Sequence, residues 1–262
     1  KMIEFKDLKA TISTDQSGRF PITSASGNAY ILIMDDYDSN VILAAAIPSR
    51  KKEDILKGYS KCYQQLQDAG ITPILQKIDN EVSELLIQAM RERNLQYQFV
   101  SPGDHRALPA ERSMQTFKNH FISILHGADP SFPSNQWDRL IPSAVITLNK
   151  LRNSKINPKL SAYAQVWGHF DFNKTPLAPP GCKCIIHTRP KERGTWERHG
   201  HQGFYCEPAL HHYRNFKIYM PRTYPDKSEH PTLSNSSPNI QSQSSPPLTE
   251  LGITLTTSLT SC

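Results

Sequence analysis

The order in which hydrophobic periodicity changes along the chain constrains its fold most. Residues 8–14 (LKATIST) alternate and are rich in β-branched side chains, the pattern of a half-buried strand, and this run ends at Asp15. Residues 29–34 (AYILIM) are almost continuously apolar, as a central strand would be, and 41–47 (VILAAAI) repeat the theme after the polar turn 35–40 (DDYDSN). Three strands joined by short turns make an antiparallel meander. Only then does the period lengthen. Ile55, Leu56, Tyr59, Cys62, Tyr63 and Leu66 keep helical spacing, and Gly70 is a natural stop. A short strand over 73–78 (PILQKI) runs into Asp79. Val82, Leu85, Leu86, Ala89 and Met90 predict a second helix, and 97–100 (YQFV) a fifth, brief strand. A loop over 101–105 precedes a third helix, and Trp137, Leu140, Ile141, Ala144, Leu148 and Leu151 mark a further one. The order βββ-α-β-α-β-α predicts an α/β fold with a mixed five-stranded sheet flanked by helices.

The third helix, over 108–121 (LPAERSMQTFKNHF), bears two faces. Pro109 suits a first helical position, where the missing N–H costs nothing. Ala110, Met114, Phe117, Phe121 and Leu125 recur at the spacing of a buried face. Glu111 falls in the first turn, beside the helix's positive end, which favours a carboxylate. Gln115 and Lys118 follow at i+4 and i+7 on the same polar face. By itself this pattern also fits an ordinary solvated face. What adds weight is that Asp15 and Asp79 end the first and fourth strands, where a mixed sheet can gather them beside Glu111. Three carboxylates with open coordination positions suit two Mg²⁺ or Mn²⁺ ions. Two such ions can activate an attacking hydroxyl and steady the leaving oxygen of a phosphodiester. The residues alone thus point to metal-dependent phosphoryl transfer on nucleic acid, without separating a nuclease from a strand transferase.

Charge agrees with a polyanionic partner. The net charge is +6 over 262 residues, the pI is about 9.0 and mean hydropathy is −0.52. From 181 to 222 the chain carries eight Lys/Arg against three Glu, so +5 of the total +6 lies in one segment. That segment reads as a small basic β module, with strands near 182–187, 203–206 and 214–220. Its aromatics Trp196, Phe204, Tyr205, Tyr213, Phe216 and Tyr219 alternate with basic residues, a pattern that fits either DNA stacking or a β core. Cys182, Cys184, His187, His199, His201, Cys206, His211 and His212 are numerous enough for zinc, but C-x-C-x₂-H lacks the paired knuckles of a common structural site. Strand thiols and surface histidines are the simpler reading. Five scattered cysteines make no disulfide framework and favour a reducing compartment.

The expected organisation is a core over 1–165, a linker over 166–180, the module over 181–223 and a Ser/Thr/Pro-rich tail over 224–262 that reads as disordered. No apolar run approaches the ~20 residues of a membrane span. The opening KMIEFKDLKA is neither a signal nor a transit peptide, and its lack of an initiator Met reads as a piece of a longer polypeptide.

TDQSGRFP (14–21), GNAYILIMDDYDSN (27–40), IDNE (78–81) and AERSMQTFKNHF (110–121) together resemble the retroviral-type integrase catalytic core, and more narrowly the LTR-retrotransposon polyproteins of copia type. The resemblance covers roughly residues 8–165. GFYCEPALHHYRNFKIYMPRT (203–223) is similar to the short β segment that follows the core in those polyproteins. The resemblance implies an RNase H-like fold, with Asp15, Asp79 and Glu111 as the catalytic, metal-binding triad. Lys118 falls on the family's DNA-contacting lysine, and Arg112, Gln115 and Asn119 share its helix as further DNA contacts. The implied activity is 3′-end processing of element DNA and its transfer into target DNA, by a homo-oligomer, with integration in the nucleus and an earlier cytoplasmic particle. The paired Asp35 and Asp36 match the family's paired-Asp turn, not its triad. His105 and His120 lie near the expected site, as phosphate or solvent contacts rather than general bases. The sequence departs from the family in three places. There are 31 residues between Asp79 and Glu111, Glu81 stands where many relatives have Gly, and Leu108-Pro109 replaces Asn-Gly. The competing functions are a catalytically inactive DNA-binding remnant and an RNase H-like nuclease without strand transfer.

Overall fold

A computed structural model describes residues 10–78, 82–100, 109–221 and 249–252. Five strands form the first sheet: β1 (Thr11–Gln16), β2 (Tyr30–Asp36), β3 (Val41–Ile47), β4 (Leu75–Ile78) and β5 (Gln96–Phe99). Their spatial order is β3-β2-β1-β4-β5. The β1–β2 and β2–β3 pairs are antiparallel, while β4 pairs with β1 and with β5 in parallel. An antiparallel meander continued by parallel strands through helical crossovers is the RNase H-like topology. Among the described residues, five α-helices accompany the sheets: α1 (Lys52–Asp68), α2 (Glu84–Glu92), α3 (Pro109–Gly127), α4 (Ile141–Leu151) and α5 (Ala162–Trp167).

Strand alternation sorts the helices onto the two faces. Leu32 and Ile47 point to the α1 side, where Gly58 lets the helix come close. A Cβ at Gly58 would lie 2.6 Å from Ile47 Cγ2. Ile33 and Asp35 point to the opposite side, where α3 packs on β1 and β2 and α4 packs on β3. β3 is the sheet's edge, and Asn149 of α4 closes it. Its Oδ1 accepts from Ile42 N at 2.9 Å and its Nδ2 donates to Ile42 O at 2.8 Å. The amide thus stands in for a missing neighbour strand.

Several boundaries differ from the sequence expectation. Strand β1 begins at Thr11, after Ala10 in a left-handed conformation (φ 58°), and extends through Asp15 to Gln16. β2 continues through Asp35 and Asp36, which the pattern assigns to a turn. Apolar periodicity misses this extension because the two carboxylates are buried in the strand and given polar partners. The expected helix from Trp137 is a 3₁₀ turn (Ser134–Leu140) followed by α4. Pro142 opens α4, as a residue without an N–H can do only at a helix start. α5 carries no periodic signal and was not expected. On α3 the fully buried positions are Ala110, Ser113, Phe117 and Phe121, so Ser113 is buried where the apolar pattern pointed to Met114 and Leu125. Those two are half-buried.

The second sheet has the order β6-β7-β8-β9, from β6 (Lys183–His187), β7 (Gly200–Pro208), β8 (Asn215–Tyr219) and β9 (Thr249–Gly252). β9 comes from the Ser/Thr/Pro-rich stretch. These four described residues of it pair antiparallel with β8. The sheet is fastened to the core at its base. Gly181 N donates to Tyr205 O at 2.7 Å, and Asp129 N donates to Gly181 O at 3.1 Å. Gly181 has φ +79°, and a Cβ there would lie 2.5 Å from Ala128 Cβ. Phe132 of the core meets Phe204 edge-on at 5.5 Å and Tyr219 at 6.4 Å.

Candidate functional site

Asp15 sits on β1, the central strand, opposite Ile33 of β2. It therefore shares a sheet face with Ser13 and with Asp35, the residue opposite Ser13. That is the face α3 covers. Glu111 lies in the first turn of α3 and is exposed. The two carboxylates thus belong to the same side of the sheet, one on its central strand and one at the start of the helix lying over it. Asp15 is half-buried, and its Oδ1 accepts from Gln16 N at 2.7 Å. Asp79 follows Ile78, the last residue of β4, and lies outside the described residues, as does His105. Among the described residues, no three or more His, Cys, Asp or Glu come together as a metal group.

What fixes the start of α3 relative to the sheet is a hydrogen bond that sequence patterning does not reveal. Ser113 Oγ donates to Asp35 Oδ1 at 2.6 Å, both side chains being buried. Asp35 therefore anchors the helix two residues from Glu111. Burial pushes the Asp35 carboxyl above the usual carboxylate range, against the Ser113 hydrogen bond and the charges of Lys155 and Arg152. Asp36 is raised too, chiefly by burial, with Ser39 donating to it from both Oγ and N. The paired aspartates are thus strand-end anchors. A serine four residues after a helix-start proline, in an otherwise apolar row, is the one signal in the sequence that a polar partner waits in the sheet.

The polar face of α3 is exposed. Arg112, Gln115, Lys118 and Asn119 all reach solvent, and Gln115 Nε2 donates to Asn119 Oδ1 at 2.9 Å. His120 is not part of that face. Its Nε2 lies 2.9 Å from Thr147 Oγ1 of α4, and partial burial lowers its pKa, so it serves helix packing rather than phosphate contact. A groove of about 740 Å³ lies where α4 and α5 meet the second sheet, lined in part by Ala46, Val145, Tyr163, Trp167 and Leu210. Neither Asp15 nor Glu111 lines it.

The aromatics of the basic segment separate by burial. Phe204, Tyr205 and Phe216 are buried and Tyr219 packs half-buried, so these four are core. Trp196 is 99% exposed and Tyr213 is 64% exposed. Cys182, Cys184 and Cys206 are free thiols, and burial pushes Cys184 and Cys206 up to about 12.

No family model matches this sequence, and no curated protein matches it. Among solved structures, the catalytic core domain of BIV integrase is similar. That similarity has 14% sequence identity and a TM-score of 0.44, and covers 60% of this chain and 93% of the other. At that level the likeness assigns no role to any residue.

Proposed function

We propose that this chain is the integrase region of a retrotransposon polyprotein, a divalent-metal-dependent polynucleotidyl transferase acting on element-end DNA and target DNA. The observation that carries the reading is the joint placement of Asp15 and Glu111. The ordered sequence motifs single out these two residues, and an RNase H-like sheet sets them on one side, on the central strand and at the start of the covering helix. Their carboxylate oxygens are the hard donors that Mg²⁺ or Mn²⁺ takes, and Asp79 is the proposed third ligand. Two such ions, when bound, lower the pKa of an attacking hydroxyl and stabilise the leaving oxygen. The chain's own share is to hold the nucleic acid. Lys118, two turns after Glu111, would offer a cation to a backbone phosphate. Arg112, Gln115 and Asn119 would add donors along the same exposed face. The proposed assembly is a homo-oligomer, because joining two DNA ends in concert takes more than one active centre. Its proposed setting is a cytoplasmic particle and then the nucleus.

The test is Mn²⁺-dependent strand transfer. A labelled duplex bearing the element's terminal sequence is presented with a plasmid target, and wild type is compared with Glu111→Gln and Asp79→Asn. Joined product from wild type alone is expected, with DNA binding retained in both variants. A variant that joins at the wild-type rate overturns the triad. Nicking without joining identifies a nuclease instead, and salt-sensitive binding without any product, persisting after the upstream sequence is restored, identifies an inactive remnant. Lys118→Ala should weaken binding and lower the slope of log affinity against log salt by about 1.

A further inference from the structure

Between β6 and β7 the chain projects as an arm, closed at its base by Thr188 N donating to His199 O at 2.9 Å. At its tip is a hydrogen-bonded turn. Glu197 N donates to Gly194 O at 3.2 Å, and Gly194 N donates to Glu197 Oε2 at 2.8 Å. Trp196 occupies the third position of that turn and is 99% exposed. A tryptophan wholly in water forfeits the largest burial gain of any side chain, and here the turn holds it outward rather than folded back. The arm around it is basic. Arg189, Lys191 and Arg198 are exposed, as are His187 and His199, and Arg193 is half-buried. The segment's sequence also carries Glu192 and Glu197, and the Glu197 carboxylate is bonded to the turn's own Gly194 N–H.

We propose that the Trp196 turn is a stacking site for an unpaired nucleobase, with Arg189, Lys191 and Arg198 taking the phosphates on either side. An exposed indole offers a face to any base regardless of sequence, and the nearby cations in the arm supply the sequence-independent attraction. Phe204, Tyr205 and Phe216 are unavailable for this, because they are buried. The site would serve the proposed DNA reaction by holding a strand whose end has come unpaired. Because it is read by binding alone, it stands or falls separately from catalysis.

The experiment titrates the full chain with a twelve-nucleotide oligo(dT), its oligo(U) counterpart and a blunt duplex of the same length, at several salt concentrations. Of the chain's three tryptophans, Trp137 is buried and Trp167 is 36% exposed, so quenching of the exposed population reports mainly on Trp196. Trp196→Ala should lose quenching and weaken single-strand binding by roughly 5- to 150-fold with an unchanged salt slope, since stacking releases no counterions. Trp196→Phe should fall between. Arg198→Ala should lower the salt slope by about 0.7 on single strands. Preference for oligo(dT) over oligo(U), or the reverse, tells which nucleic acid the site takes. Wild-type affinity in Trp196→Ala, equal loss on the blunt duplex, or no binding to any oligonucleotide overturns the proposal. So does quenching by phosphatidylserine vesicles in place of oligonucleotides.

Discussion

The five-stranded sheet is covered on both faces by helices, whereas the four-stranded sheet encloses, among the described residues, a buried cluster of Ile186, Tyr205, Phe216 and Ile218. The first region is built from near-continuous apolar strands and closes its own edge with Asn149. The second is too small to be generous with core, and Cys206 and Tyr219 belong to the larger region's apolar cluster rather than to its own. Charge follows the opposite distribution, with most of the net positive charge in the segment that holds the smaller sheet. The difference teaches that the smaller sheet is an attachment whose interior is partly borrowed and whose outer arm is exposed.

The largest expected effect lies in the first region. Trp137 is fully buried, stacks on Phe20 at 4.2 Å and donates to Ile22 O at 2.8 Å. Trp137→Ala should cost about 3–5 kcal/mol, measured by denaturant unfolding. If the smaller sheet leans on the larger, its amides should lose hydrogen-exchange protection in step. Retained protection in β6–β8 would show that the smaller sheet stands alone.

Phe132→Ala sharpens the comparison from the other side. It removes the ring that meets both Phe204 and Tyr219, at a cost of about 1–3 kcal/mol. Exchange should rise in β7 and β8 while β1–β3 stay protected. A uniform loss would mean that the two sheets unfold as one unit.

The smallest effect concerns pH. The Asp35 carboxyl is raised by burial, so its folded state binds a proton more tightly than the unfolded chain does. Its contribution is fully present below the ordinary carboxylate pKa and is lost as pH rises through the folded value. Asp35→Asn keeps the acceptor for Ser113 and removes the titration. It should therefore raise the melting temperature more at pH 8 than at pH 4. A gain of the same size at both pH values would refute the burial effect.

How much of this was legible from residues alone can be argued position by position. The meander and the β-α alternation were, because apolar period is set by local geometry: two residues per repeat on a strand, 3.6 on a helix. Glu111 on an exposed first turn, with Lys118 on the same face, follows from that rule as well. Asp35 and Asp36 were misplaced into a turn, because buried carboxylates break the apolar pattern of a strand; Ser39 satisfies Asp36 locally, but Asp35 is tolerated only because a partner from elsewhere in the chain satisfies it. For Asp35 that partner is Ser113, 78 residues away. The aromatics of the basic segment could not be divided in sequence, since core and stacking positions draw on the same residue types. Burial is a property of the folded surface, and it alone separated Trp196 from Phe204.

By itself, then, the sequence determined the order of the first sheet's strands and its first helices, a consequence of local periodicity, while the RNase H-like expectation came from the resemblance that its ordered motifs carry. Only the tertiary structure decided that Asp15 and Glu111 share a side, that Asp35 anchors α3, that His120 packs on α4 and that residues 249–252 extend the second sheet. Each of those depends on contacts between residues far apart in the chain, and local propensity carries no record of which distant groups will meet.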